Sequence, residues 1–230
     1  MTNALFVVSE EGYWGEECIE PLATLDAADI DVTVATPSGD PPVVDERSVD
    51  PETVGERVST MVREYDDTDD RLANPEPIAT ADAADYDAVV FPGGHGTMWD
   101  INIDHHAQQL LTDAVGGDDG VALVVCHAVG LLGFTRTDDG EYLTAGRAIT
   151  GFPNEWEDGL IDENHVMADG RKLPYLVEDV VVAAGGRWDA ELEADFSVTV
   201  DGDLITARGP ESSTAAAETL LGELGIELPA

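Results

Sequence analysis

Val121-Ala122-Leu123-Val124-Val125-Cys126-His127-Ala128-Val129-Gly130-Leu131-Leu132 hands an apolar, largely β-branched run over to a helical pattern at Cys126-His127. A run of this kind predicts a buried strand, and Ala-Val-Gly-Leu-Leu predicts the first turn of a helix, which puts the thiol on a sharp strand-to-helix turn. Such a turn presents Sγ beyond the carboxyl edge of a sheet, where open α/β sheets bind ligands, with amide N–H groups and the helix dipole directed at it. Both effects favour a thiolate. The competing reading of a lone Cys is a small apolar core residue.

Two further strands deliver chemistry to the same edge. Ala88-Val89-Val90-Phe91 ends in Pro92-Gly93-Gly94-His95-Gly96-Thr97-Met98-Trp99-Asp100, where paired glycines let backbone approach a neighbour closely and leave amides free for an anion or a developing oxyanion. Ala4-Leu5-Phe6-Val7-Val8 runs into Glu11-Gly12-Tyr13-Trp14-Gly15-Glu16-Glu17 and an amphipathic stretch to Ala28, before a strand at Asp31-Val32-Thr33-Val34-Ala35-Thr36. Strand, helix, strand in this order predicts an α/β fold: a doubly wound, mostly parallel sheet flanked by helices. An acid, a Gly-Gly turn and a Cys-His pair then converge at one sheet edge.

These residues resemble the ThiJ/PfpI superfamily, and most nearly its heat-shock chaperone and glyoxalase III-like branch. The likeness is carried by Glu17 with Pro21, by Phe91-Pro92-Gly93-Gly94-His95-Gly96-Thr97 with Asp100, by Val125-Cys126-His127, and by Ile149-Thr150-Gly151-Phe152 with Glu157. It runs from Leu5 to about Leu221 and includes Asp203-Leu204-Ile205-Thr206 followed by Gly209-Pro210-Glu211-Ser212-Ser213. The resemblance implies a flavodoxin-like, class I glutamine amidotransferase-like domain over residues 1–230. It implies Cys126 as nucleophile, His127 as general base or acid, Glu157 as the acid orienting that His, and Glu17 as the carboxyl beside the thiol. By the same likeness the amides of Gly94 and His127 would form an oxyanion hole. His95, by its place in the Gly-rich turn, is a candidate at the substrate and equally a candidate structural hydrogen-bond donor, and Trp156, by its nearness to Glu157, is a further candidate at the substrate. Glu155 competes with Glu157, and Glu157 is chosen because the family's acid falls five residues after the Phe. Two departures stand out: Ala128-Val129 where many relatives have Gly-Pro, and Thr206-Ala207-Arg208-Gly209-Pro210 where they commonly have Thr-Gly-Gln-Asn-Pro.

Composition adds the setting. Ten Lys and Arg stand against 49 Asp and Glu, a formal charge of −39, and Lys172 is the single lysine. With 43% hydrophobic residues in periodic runs, the acidity marks a folded chain with a solvated carboxylate surface suited to concentrated salt, since acids spread along the whole chain are not a patch for a basic partner. Nucleic acid and anionic membranes would be repelled. No 18-residue apolar run or leader pattern occurs, so a cytoplasmic protein is expected, and two cysteines make no disulfide framework. Cys18, about 100° round the helix from Glu17, is expected to pack rather than partner Cys126.

Residues 38–85 turn polar and acidic around a helical candidate at 51–65 and are expected to lie outside the sheet; the resemblance implies a cap insertion over the active-site edge, and the alternative is a disordered acidic loop. Asp104 should cap a helix at 105–115; Asp104-His105-His106 has metal-ligand residue types, but adjacent histidines diverge on a helix, and no metal site is expected. Pro174 is expected to open a helix through Val182, residues 196–207 to make a hairpin about Asp201-Gly202, and Ser212 or Ser213 to cap a final helix. Trp14, Trp99 and Trp156 each fall near a proposed site residue and would line an apolar pocket.

The chemistry expected is addition of the Cys126 thiolate to a small carbonyl compound. For a 2-oxoaldehyde such as methylglyoxal, this gives a hemithioacetal, proton transfer from C1 to C2 by His127 or Glu17 through an enediol, and hydrolysis to a 2-hydroxy acid, with no cofactor. Glutathione-independent glyoxalase activity and deglycation are what the resemblance implies, in a homodimer. Three other classes compete: a holdase chaperone for unfolded clients, an amidase or amidotransferase, and a cysteine peptidase. None of the five His stands in the His-x-Glu sequence that amidotransferases of this fold use, and a peptidase would need an extended groove.

Overall fold

Strand β1 (Asn3–Val7) alternates between two buried faces: Ala4 and Phe6 join one core cluster, and Leu5 and Val7 join the other. A strand covered on both sides reads as a continuous apolar run, and helices supply the cover. The computed structural model describes residues 2–117, 120–160, 167, 170–189 and 196–226. After β1 come α1 (Gly15–Ala27), β2 (Asp31–Thr36), α2 (Pro51–Thr68), α3 (Asp70–Ala73), β3 (Glu76–Pro77) and β4 (Ala88–Phe91). The chain continues through α4 (His105–Gly116), β5 (Val121–Val125), α5 (Gly130–Phe134), β6 (Ala148–Ile149) and α6 (Asn154–Leu160). It closes with α7 (Val177–Ala183), β7 (Arg187–Trp188), β8 (Val198–Asp201), β9 (Leu204–Ala207) and α8 (Ser213–Glu223).

Among the described residues, seven strands form one sheet in the order β3-β2-β1-β4-β5-β9-β8, parallel except for β8, while β6 and β7 pair separately. Ile19, Leu22 and Leu25 of α1, Val58 and Val62 of α2, and Ala216, Ala217 and Leu220 of α8 cover one face. Leu110 and Leu111 of α4, Leu131 and Leu132 of α5, and Val181 of α7 cover the other. The mostly parallel, doubly wound sheet expected from the sequence is present, and α4 is capped by Asp104 as expected, its side chain accepting from the amides of His106 and Ala107. Among the described residues, no helix is long and apolar enough to cross a membrane.

Four local expectations need correcting. Part of the 38–85 segment joins the sheet: Glu76-Pro77 pairs in parallel with β2 as an edge strand, the position where Pro loses no ladder hydrogen bond. Helix α7 begins at Val177 rather than Pro174, with Leu176 at its N-cap and Glu178 and Asp179 in the first turn. The hairpin register pairs Asp201 with Leu204, so its turn is Gly202-Asp203, with Gly202 at φ +68°. Ser212 precedes α8 but does not cap it, because its hydroxyl accepts the Ser197 amide at 3.0 Å.

Candidate active site

Cys126 follows β5 directly and has φ +57°, a left-handed conformation that costs a side-chain-bearing residue on the order of 1–2 kcal/mol. One 3-10 turn, Cys126–Val129, links it to α5. The elbow is held from behind by Asn102, whose amide donates to the His127 carbonyl at 2.8 Å and to the Tyr175 hydroxyl at 2.9 Å.

The turn after β4 packs against this elbow through bare backbone. A side chain on Gly93 would collide with Glu17 Oε2 and meet Cys126 Cβ at 2.6 Å, so only glycine lets the acid and the thiol lie together. Gly94, at φ +114°, rests on the backbone of Tyr13 and Trp14, and Trp14 donates its amide to Gly93 at 3.0 Å. The Gly12-Tyr13-Trp14 loop is tied in turn to the 38–85 segment: Tyr13 N–H donates to Val43, and Asp45 N–H to Tyr13.

From the thiol a chain of hydrogen bonds runs inward. Cys126 Sγ lies 3.2 Å from His127 Nδ1, and His127 Nε2 lies 2.7 Å from Glu157 Oε2. The second oxygen of Glu157 is 2.9 Å from His95 Nε2, and His95 Nδ1 is 3.0 Å from Arg47 Nη2. All of Cys126, His127, His95 and Glu157 are buried. Phe152 stacks on the His127 ring with centroids 4.4 Å apart, and Trp156 meets Phe152 edge-on at 5.7 Å. Cys126, His127, His95, Phe152 and Trp156 border a cavity of about 520 Å³ lined also by Trp14, Glu17, Gly94, Glu155 and Glu211.

Protonation follows from burial and partners. Burial pushes Glu17 up to about 8, so its carboxyl holds a proton at neutral pH. Burial also raises the Cys126 thiol well above its ordinary value, and Glu17, in its ionised form, adds to the rise, while the His127 amide works the other way. Burial lowers His127 to about 4, keeping it neutral. For Glu157 burial acts upward, but the hydrogen bonds from His127 and His95 outweigh it and hold the carboxyl well below the usual carboxylate range. The resting site therefore contains a thiol that donates to His127 Nδ1, not the thiolate that the elbow alone suggested; burial, invisible to a local motif, makes the difference.

The structure brings together Cys126, His127, Glu157, Glu17, Gly94, His95 and Trp156. Glu155 lines the cavity, whereas Glu157 carries both histidine contacts. Trp99 lies outside the cavity wall, with the Arg171 guanidinium 4.2 Å from its ring centroid. The described residues of 38–85 are absent from the wall too; that segment reaches the site from behind, through Arg47. Arg47 and Asn102 were not marked by any sequence signal. Arg208 was noted as a departure, and it proves fully buried, its guanidinium 5.7 Å from the Trp156 ring and 3.2 Å from the Asp189 carbonyl. His95, His127 and Glu157 offer ligand-type atoms within 4.8 Å of one another. Arg47 opposes an ion there, because its N–H on His95 Nδ1 demands that the His95 proton sit on Nε2, where a metal would have to bind.

Neither Glu17 oxygen has a nitrogen or oxygen hydrogen-bond partner among the described residues; the group it faces is the thiol. A protonated Glu17 therefore donates to sulfur as the thiolate forms. Glu17→Leu is expected to slow iodoacetamide alkylation of Cys126 at pH 7, and to slow its oxidation by peroxide, with Cys18 as internal control. Alkylation as fast as wild type from pH 5 to 9 would separate Glu17 from the thiol.

Comparison with known proteins gives a consistent family. A model described as the DJ-1/PfpI family matches residues 2–223. A Candida albicans protein named glyoxalase 3 is 31% identical over 160 residues, 65% of this chain and 63% of that protein, so less than two thirds of that relative is matched. A Danio rerio protein named glutamine amidotransferase-like class 1 domain-containing protein 1 is 29% identical over 196 residues, 81% of this chain and 79% of that one. The crystal structure of glyoxalase III from Candida albicans superposes with a TM-score of 0.81 at 23% identity, over 99% of this chain and 98% of that chain, a likeness of fold.

Proposed function

This chain belongs to the DJ-1/PfpI family, and from that premise we propose that it is a cysteine-dependent, glutathione-independent glyoxalase converting a small 2-oxoaldehyde such as methylglyoxal to the 2-hydroxy acid. One observation carries the reading: the Cys126, His127 and Glu157 relay opens into a cavity of about 520 Å³ walled by Trp14, Phe152 and Trp156. Apolar walls of this kind suit an uncharged carbonyl compound of a few carbons.

The aldehyde carbon C1 accepts the Cys126 sulfur while His127 Nδ1 takes the thiol proton, and the resulting imidazolium is stabilised by the Glu157 carboxylate. The oxyanion at C1 faces the amides of Gly94 and His127 and is neutralised by that proton, giving a hemithioacetal. His127 then removes the C1 proton, the electron pair forms the enediol, and reprotonation at C2 yields a 2-hydroxy thioester. Water hydrolyses the thioester, releasing the acid and the thiol. C1 is oxidised and C2 reduced within one molecule, so no external redox partner is consumed. Glu17 keeps its proton throughout and donates to sulfur when it is anionic. Deglycation of early carbonyl adducts on amines and thiols belongs to the same proposal, because these adducts release or present the same electrophilic carbon to Cys126.

We assign the charge of −39 to a protein that works in concentrated salt. The functional test is therefore methylglyoxal conversion in molar potassium chloride. Wild type is expected to form lactate and Cys126→Ala to form none above background; equal loss of methylglyoxal with both proteins refutes the enzyme reading.

A further inference from the structure

Arg47 lies in the polar segment between β2 and α2, outside the cavity wall, and its guanidinium is fixed at both ends. Nε and Nη2 donate to the two oxygens of Asp45 at 3.0 and 2.6 Å, and Nη2 also reaches His95 Nδ1 at 3.0 Å. A guanidinium has donors and no acceptor, so His95 Nδ1 is the acceptor and carries no proton. The one proton of the neutral His95 ring is then on Nε2, which donates to Glu157 Oε1 at 2.9 Å. Its ring centroid is 4.0 Å from that of His127, and the two rings share one carboxylate.

We propose that Arg47 is a positioning residue of this site: by occupying His95 Nδ1 it holds the His95 proton on Nε2, orients Glu157 between two N–H donors, and reserves the carboxylate charge for His127. The alternatives available without Arg47 both weaken His127. If His95 took a second proton at Nδ1, its imidazolium would neutralise Glu157, and an imidazolium on His127 would lose its counter-charge. If His95 moved its proton to Nδ1, a lone pair on Nε2 would face a carboxylate oxygen, and Glu157 would turn away. In each case transfer of the Cys126 proton to His127 becomes less favourable. The inference rests on the proposed catalytic reading only in taking Cys126 as the reacting thiol, and it gives the 38–85 segment a role in the chemistry beyond covering the fold.

The test begins with unmodified protein, labelled with ¹⁵N and recorded in molar potassium chloride at pH 7. Two-bond imidazole spectra are expected to give His95 and His127 each a protonated Nε2 and a bare Nδ1. A His95 protonated on Nδ1, or on both nitrogens, overturns the proposal, and this measurement decides it even where a variant fails to fold. In Arg47→Met, His95 is expected to lose the single-tautomer signature, Cys126 alkylation at pH 7 to fall about tenfold, and kcat to fall by a similar factor with KM nearly constant. Arg47→Lys, which keeps a cation and a donor, is expected to recover most of the alkylation rate. An Arg47→Met protein with unchanged His95 signals and unchanged alkylation overturns the proposal. Neither readout requires a 2-oxoaldehyde, so failure of the glyoxalase reading and failure of this one are separately visible.

Discussion

Glu157→Gln is expected to lower kcat for 2-oxoaldehyde conversion by about 10³-fold or more, in the range seen when the acid of a nucleophile–His–acid triad is made neutral. The size follows from two losses. First, the carboxylate presents an acceptor to each of two Nε2–H donors, at 2.7 Å for His127 and 2.9 Å for His95. An amide replaces one acceptor with a donor, so one histidine must move its proton to Nδ1. If that histidine is His127, the nitrogen 3.2 Å from the sulfur is no longer able to take the thiol proton. Second, the imidazolium formed on thiol deprotonation loses its counter-charge in a buried site where burial already lowers His127 to about 4. Steady-state kinetics with methylglyoxal check this, with Glu155→Gln as comparison. More than a tenth of wild-type activity in Glu157→Gln would exclude Glu157 as the orienting acid.

The thermal midpoint is expected to rise by on the order of 10 °C or more between 10 mM and 2 M potassium chloride, because several kcal/mol of relieved repulsion moves a domain of this size by that amount. The repulsion is built in. Among the described residues cations pair with acids, as in Arg71 with Asp26 and Asp69, Arg147 with Asp203, and Arg57 with Glu20, and the ten cations of the chain offset only ten of its 49 acids, which leaves the net −39 charge unbalanced. Crowding is visible at α1, where burial first, and then Glu20 and Glu211, push Glu16 up to about 7. Salt shortens the screening length from about 30 Å at 10 mM to about 3 Å at 1 M, which suppresses contacts between exposed acids. Circular dichroism melts measure the shift. A midpoint indifferent to chloride removes the assignment to concentrated salt.

How much of this was legible in the sequence depended on whether the cause was local. The β5 elbow could be read because a β-branched run and a Cys-His turn are adjacent in the chain, and the Gly93-Gly94 turn because paired glycines directly after a strand allow a close backbone approach. Glu157 was reached only through resemblance: nothing in Asn154-Glu155-Trp156-Glu157 separates the two acids, and only the fold shows which one meets both histidines. Arg47 carried no signal at all, since its meaning depends on the Tyr13 loop bringing residues 43–45 beside the β4 turn. Ser212 has the right residue type for a cap, but a tertiary partner, the Ser197 amide, takes its hydroxyl. The β3 edge strand, two residues with one Pro, falls below any periodicity. The resting thiol was missed for the same reason: desolvation is a property of the assembled site.

The turnover experiment run in deuterium oxide with molar potassium chloride tests the central claim most directly, because it asks whether Cys126 and its base take the proton from C1, exchange it with the solvent that reaches the cavity, and return a solvent-derived one to C2. By proton NMR, wild type is expected to convert methylglyoxal to lactate carrying solvent deuterium at C2, and Cys126→Ala to produce no lactate above background. Lactate formed at equal rates by both proteins, or lactate from wild type with protium fully retained at C2, would contradict the account.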